Sequence, residues 1–245
     1  MEKKIVSLIL PCYNEEKIIS SNITIVEEYI EKNIDKNLYD VRIVVVNDGS
    51  KDNTFFEVSE KHHEVSLVSY LPNHGKGYAV REGLRYSLER LNADYMIFMD
   101  ADLSTDLKAI NGMLNLFNQG HEYIVGSRYN KESNILVKQP LKRRIISVLS
   151  RIIISSMFRF GLKDTQCGFK GFDKEVAKTL VKLSKIDGFS FDVEYLYIAK
   201  LNHISYTHLP VDWTDHRDSR VSPLRSSIRF FKDLFIIKKY RKFYK

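Results

Sequence analysis

Three turns in this chain of 245 residues gather carboxylates, amides and hydroxyls directly after apolar runs. They read Leu10-Pro11-Cys12-Tyr13-Asn14-Glu15-Glu16, Val46-Asn47-Asp48-Gly49-Ser50-Lys51-Asp52-Asn53-Thr54 and Phe98-Met99-Asp100-Ala101-Asp102-Leu103-Ser104. Asp100 and Asp102, two residues apart at the end of a strand, can hold a hard divalent cation together with a diphosphate. Mg2+ and Mn2+ take oxygen ligands and keep positions open for substrate phosphates. Any one of these turns is equally well an ordinary cap or Asx-turn; their joint occurrence points to a site. A fourth segment, Asn73-His74-Gly75-Lys76-Gly77, opens a helical pattern, so Lys76 and the helix N-terminus are expected to meet a phosphate. It has neither P-loop spacing nor the glycine spacing of a dinucleotide turn.

The elements that must position these turns are legible as alternating patterns. Ile5–Leu10, Val41–Val46, Val65–Tyr70, Tyr95–Met99 and Tyr123–Val125 are continuous apolar runs, as expected for strands covered on both faces. Helical stretches are expected at roughly 15–32, 52–63, 76–91 and 106–118. The succession implies an α/β fold, a Rossmann-like and mostly parallel sheet with helices on both faces. The ligand crevice of such a sheet lies at the carboxyl ends of its strands. After residue 128 the alternation stops. A loop, a basic helix, the segment Asp164–Phe172, two further helices and a late strand near Ile204–Pro210 are expected to follow. No repeat or linker interrupts residues 1–220, which read as one domain; 221–245 reads as a basic amphipathic tail.

Charge is unevenly spread. The formal net charge is +7, with 38 basic and 31 acidic residues. Lys138–Lys163 holds seven basic residues and no acid, and Arg225–Lys245 holds eight against Asp233 alone. The remainder is therefore net acidic, and an anionic partner should meet the two basic segments. Both are amphipathic at helical spacing. Ile145, Leu149, Ile152, Ile153 and Phe160 fall opposite Arg144, Ser147, Arg151, Ser155 and Arg159. Ile228, Phe231, Leu234 and Phe235 fall opposite Arg229 and Lys232. Basic amphipathic helices suit an anionic membrane surface, whereas no nucleic-acid motif accompanies the charge. No apolar run approaches the length of a membrane span. Two cysteines, Cys12 and Cys167, form neither a disulfide framework nor a metal quartet, which suits a reducing, cytoplasmic setting.

Further motifs follow: Gly126-Ser127-Arg128-Tyr129, Lys142-Arg143-Arg144 with Ser147, Asp164-Thr165-Gln166-Cys167-Gly168-Phe169-Lys170, Phe191-Asp192-Val193-Glu194, and Val211-Asp212-Trp213 with Ser219-Arg220-Val221. Taken with the three turns, the chain resembles glycosyltransferase family 2 enzymes of GT-A fold, and among them the polyprenyl-phosphate glycosyltransferases, over about residues 4 to 240. The resemblance implies a nucleotide-sugar half at 1–104 and an acceptor half at 105–220. It implies that Pro11, Tyr13, Glu15 and Asp48 contact the nucleotide of a UDP-sugar. Asp100, Ala101 and Asp102, with Lys76, would face the diphosphate, and Asp102 foremost would ligate Mg2+ or Mn2+. Arg128, Ser147, Gln166 and either Arg143 or Arg144 would bind the phosphate of a polyprenyl acceptor, dolichyl or undecaprenyl phosphate. Asp192 would be the catalytic carboxylate, with Glu194 a weaker site and His216 a lesser candidate to reach the metal. The expected activity is inverting, metal-dependent transfer of a hexose, glucose foremost, by an enzyme held peripherally on the cytoplasmic membrane face. A saccharide acceptor, or a catalytically silent nucleotide-sugar-binding subunit, remains the alternative.

Overall fold

The computed structural model describes residues 2–137, 141–215 and 223–245, the side chains of 141–143 and 223–228 excepted. Nine strands and eight helices are formed in that span. In chain order they are β1 (Lys4–Cys12), α1 (Ile19–Asn33), β2 (Tyr39–Asp48), α2 (Thr54–Ser59), β3 (Ser66–Tyr70), α3 (Lys76–Glu89), β4 (Tyr95–Met99), α4 (Ala109–Asn118), β5 (Tyr123–Ser127) and β6 (Ile135–Val137). Then come α5 (Leu141–Phe158), β7 (Phe169–Asp173), α6 (Lys174–Leu183), α7 (Phe191–Leu201), β8 (Tyr206–Pro210), β9 (Trp213–Thr214) and α8 (Pro223–Lys239).

Seven strands form one sheet in the order β3-β2-β1-β4-β7-β5-β8, and β6 pairs with β9 beside it. Every neighbour in the large sheet is parallel except β7, which runs antiparallel to both β4 and β5. The sheet is thus mostly parallel and helix-covered, as the apolar runs require. Alternate side chains feed two cores, because successive residues of a strand point to opposite faces. Ile9, Val44, Val46 and Phe98 meet residues of α3, α6, α7 and α8 on one face. Leu8, Leu10, Val45 and Met99 meet α1 and α4 on the other.

Strand β7 was hidden in the motif Asp164–Phe172, and its alternation explains its placing. Gly171 faces α4, where an added Cβ would lie 2.4 Å from Met113 Sδ. Lys170, one residue earlier, therefore points at the opposite face, towards α7. The register puts Asp48 opposite Tyr70 and Ile9 opposite Phe98. The carboxyl ends of β1, β2, β3 and β4 consequently open on one crevice, with the three acidic turns along its edge.

The two basic segments divide their apolar residues between core and surface. On α5, Ile154 and Phe158 enter the core, while Ile145, Val148, Leu149 and Ile152 are 53%, 43%, 52% and 59% exposed. Within 221–245, Phe230, Leu234, Ile237 and Tyr244 are buried in the core that lines α7, while Phe235, Ile236, Tyr240 and Phe243 are exposed. Among the described residues, no helix is long and apolar enough to cross a membrane.

Candidate active site

The first two acidic turns are stitched to each other by short-range hydrogen bonds. Asn14 N donates to Ser50 Oγ at 2.8 Å, and Lys51 N to Asn14 Oδ1 at 2.7 Å. Glu15 N donates to Thr54 Oγ1 at 2.8 Å, and Asn53 N to Glu16 Oε2 at 3.0 Å. Asn14 takes a left-handed φ of 57°, which asparagine tolerates and this turn needs. Tyr13 is left exposed on the crevice rim, with Pro11 and Glu15 half-buried beside it.

Asp48 is buried and already engaged. Its carboxylate accepts from Asn73 Nδ2 at 2.7 Å, His74 N at 2.9 Å and Gly75 N at 2.9 Å. It therefore shapes the 73–75 loop. Two of the backbone donors at the start of α3 are likewise spent: Gly77 N and Tyr78 N donate to Asp187 O at 2.8 and 3.2 Å. A Cβ on Gly75 would sit 2.6 Å from that same carbonyl, so only glycine allows the approach. The cause is the close packing of the 184–190 loop on α3. Lys76 instead extends its ammonium to Asp100.

Asp100 and Asp102 lie at the end of β4. Asp100 N donates to Gly168 O at 3.0 Å, and a Cβ on Gly168 would fall 2.0 Å from Asp100 Oδ2. Asp102 Oδ1 accepts from Ser104 N at 3.0 Å. Burial, with the nearby Asp100 charge, raises the Asp102 carboxyl above its ordinary range. A cation would relieve that repulsion. Among the described residues no three of His, Cys, Asp and Glu gather into a metal cluster. Carboxylate oxygens such as these two are of the kind a hard divalent ion takes.

Asp192, in the first turn of α7, is buried and ion-paired to Lys170 Nζ at 2.5 Å. Lys170 is itself wholly buried and also donates to Cys167 O at 2.6 Å. Burial raises the Asp192 carboxyl, and Lys170 with Lys76 works against that rise. Sequence reasoning quoted Lys170 within a motif without giving it a role; a lysine alternating with glycine and phenylalanine in a buried strand was the available signal. Glu194, two residues on along α7, points away from Asp192 towards the 185–186 backbone. It accepts from Lys185 N at 2.8 Å and Ile186 N at 3.0 Å, and from the Tyr244 hydroxyl. Cys167 is buried, and burial pushes its thiol up to about 12, so it acts as packing rather than as a nucleophile.

On the acceptor side Arg128 sits between two rings, its Cζ 5.5 Å from the Tyr129 centroid and 5.3 Å from that of Trp213. Asp164 takes Arg128 Nε at 2.8 Å, Nη2 at 3.0 Å and N at 3.0 Å. Burial would raise the Asp164 carboxyl, but the Arg128 guanidinium overrides this and lowers it. Trp213 bridges to Thr105, and Thr214 N donates to Ser104 O at 2.8 Å, tying this region to the Asp102 turn. Ser147 Oγ lies 3.3 Å from the Tyr129 hydroxyl. Gln166 is half-buried, and its N–H faces Asp164 Oδ1 at 3.3 Å. Arg144 is exposed on α5. The Arg143 side chain, His216 and Ser219-Arg220-Val221 fall outside the described residues.

The strand-end crevice carries an acidic pair at one strand end and a buried carboxylate on α7, and the mostly parallel, helix-covered sheet that positions them is GT-A-like. Residues 7–181 match the model of the family Glycosyl transferase family 2. The chain belongs to glycosyltransferase family 2. It is 30% identical over 243 residues to the dolichyl-phosphate beta-glucosyltransferase of Dictyostelium discoideum, covering 95% of this chain and 73% of that one. With the human dolichyl-phosphate beta-glucosyltransferase the identity is 29% over 248 residues, covering 96% and 75%. Among solved structures, glucosyl-3-phosphoglycerate synthase from Mycobacterium tuberculosis, crystallised with Mn2+, UDP-glucose and glycerol 3-phosphate, superposes with a TM-score of 0.70 at 16% identity. That match covers 96% of this chain and 80% of that one. This last likeness speaks to the fold.

Proposed function

We propose that this glycosyltransferase moves a glucosyl group from UDP-glucose to a polyprenyl phosphate at a membrane surface, with inversion at C1. The observation that carries the reading is the convergence of Asp100, Asp102 and the Lys170-paired Asp192 on one crevice. The alignment to dolichyl-phosphate beta-glucosyltransferases along nearly the whole chain supports it.

Pro11, Tyr13 and Glu15 would line the nucleotide, and Asp48 would act by holding the 73–75 loop. Asp102 and Asp100 would hold Mg2+ or Mn2+, which when bound neutralises charge on the departing diphosphate. Lys76, beside Asp100, faces the same charge. An acceptor phosphate oxygen forms the new bond to C1 while the bond from C1 to the UDP oxygen breaks, and its electron pair leaves with UDP. A phosphate acceptor is already anionic, so Asp192 orients and stabilises more than it takes a proton.

The exposed stripe Ile145-Val148-Leu149-Ile152 on α5 recurs at i, i+3, i+4 and i+7, the spacing of one helix face. With Phe235, Ile236, Tyr240 and Phe243 near α8 and the surrounding lysines and arginines, it supports docking in an anionic interface. Its position would put the acceptor side against lipid on the cytoplasmic face.

The test is a transfer assay with labelled UDP-glucose, a short polyprenyl phosphate and Mg2+ or Mn2+, counting label in the organic phase. Label is expected only with the divalent ion, and Asp102→Ala should lower it by at least about a hundredfold, as when one charge-stabilising group is removed. Labelled lipid formed equally well under EDTA would overturn the metal step. Absence of labelled lipid despite bound UDP-glucose would overturn the acceptor.

A further inference from the structure

On α5, one turn beyond Ser147, the guanidinium of Arg151 lies over the ring of Tyr129, its Cζ 4.0 Å from the ring centroid. Its Nε is buried and has no hydrogen-bond partner among the described residues. No carboxylate pairs with it there either. Arg128, which also lies over the Tyr129 ring, is the opposite case: three of its donors are spent on buried Asp164, and the pair is electrically neutral. A phosphate brought to Arg128 would have to compete with a carboxylate already in place. At Arg151 it would meet an uncompensated charge and an N–H that burial has stripped of water. An unmet buried donor is costly, and an incoming oxygen that accepts from it removes that cost. The guanidinium fork also suits phosphate geometry.

We infer that Arg151, steadied on the Tyr129 ring and flanked by the Ser147 hydroxyl, is the group that binds the phosphate of an acceptor carrying an apolar chain. Arg128 with Asp164 forms the fixed wall on which Tyr129 and Trp213 rest. The apolar chain is called for by the same helix: Val148, Leu149 and Ile152 stand exposed beside Arg151 and give a hydrocarbon tail a surface that a free phosphate would leave uncovered. This assignment rests on the acceptor reading above and moves its phosphate contact to a residue outside the motifs.

Trp213, the single tryptophan, sits against Arg128 and reports binding without turnover. Its emission is titrated with geranyl phosphate, with geraniol and with inorganic phosphate, in wild type, Arg151→Gln and Lys131→Gln, alongside the transfer assay. Arg151→Gln should weaken geranyl phosphate at least tenfold, leave geraniol unchanged, and leave the KM for UDP-glucose and the melting temperature as in wild type. Lys131→Gln, at an exposed cation two residues beyond Tyr129, should shift nothing. Tighter binding of geranyl phosphate than of inorganic phosphate supports the lipid source; equal binding would overturn the role of the chain. An unchanged affinity in Arg151→Gln, or the same loss in Lys131→Gln, would overturn the assignment. If wild type binds geranyl phosphate through Arg151 but transfers no sugar to it, the proposed function falls and this site stands.

Discussion

The floor of the crevice and its outer rim are built on opposite plans. On the floor each acid has a partner in the chain: Asp48 with the 73–75 backbone, Asp100 with Lys76, Asp102 with Ser104 N, and Asp192 with Lys170. On the rim, α5 and residues 235–243 leave a guanidinium nitrogen unmet among the described residues and several large apolar side chains exposed. Chemistry that stabilises a developing charge gains from groups already held in place. Docking gains from groups whose needs only a partner satisfies. The contrast therefore separates the part of the molecule that is finished on folding from the part that, in the proposed function, a lipid would complete.

Three measurements would break or sharpen this contrast. The largest effect is expected for Lys170→Met, which leaves Asp192 buried without its cation. Removing one member of such a pair costs about 3–5 kcal/mol, read by urea unfolding at neutral pH. That cost should shrink as the pH falls. Burial without Lys170 raises the folded-state pKa of Asp192 further above its unfolded value, so the folded state takes up the proton more readily. A variant as stable as wild type at neutral pH would show that the floor does not depend on its internal pairs.

A smaller effect belongs to Gly168→Ala. The new Cβ must displace the Asp100 carboxylate, so transfer should drop roughly a hundredfold, as misplacement of about an ångström does. The melting temperature should move little, because the adjoining strand keeps its pairing. Normal transfer by this variant would mean that the position of Asp100 is not set from below.

The smallest effect, and the one confined to the rim, is expected for Leu149→Glu with Ile152→Glu. Both side chains are exposed, so stability should hold while sedimentation with anionic liposomes falls. Withdrawing two such side chains from an interface is worth a few kcal/mol at about 1.5–3 kcal/mol each when fully buried. Unchanged sedimentation would return the stripe to ordinary surface.

Much of the floor was legible because its parts are local. Each acidic turn follows its own strand within a few residues, and parallel strands in an α/β sheet must bring their carboxyl ends together. The rim was less legible. Helical spacing showed that α5 is amphipathic, but it grouped Ile152 with Ile153 and did not tell which apolar residues enter the core. Packing decided it: Ile154 and Phe158 turn inward and leave the stripe at Ile145, Val148, Leu149 and Ile152 outside. Strand β7 was missed for a similar reason, since it is short, carries a lysine, and runs against its neighbours.

By itself, the sequence determined the alternation of strands and helices, the acidic turns, and the excess of cations in two segments, all of which follow from residue type and spacing. Only the tertiary structure decided which charges cancel. Arg128 meets Asp164 across 36 positions and Lys170 meets Asp192 across 22, while Arg151 Nε is left over among the described residues. Spacing along a chain carries no record of such pairings, because they depend on how the sheet brings distant segments together.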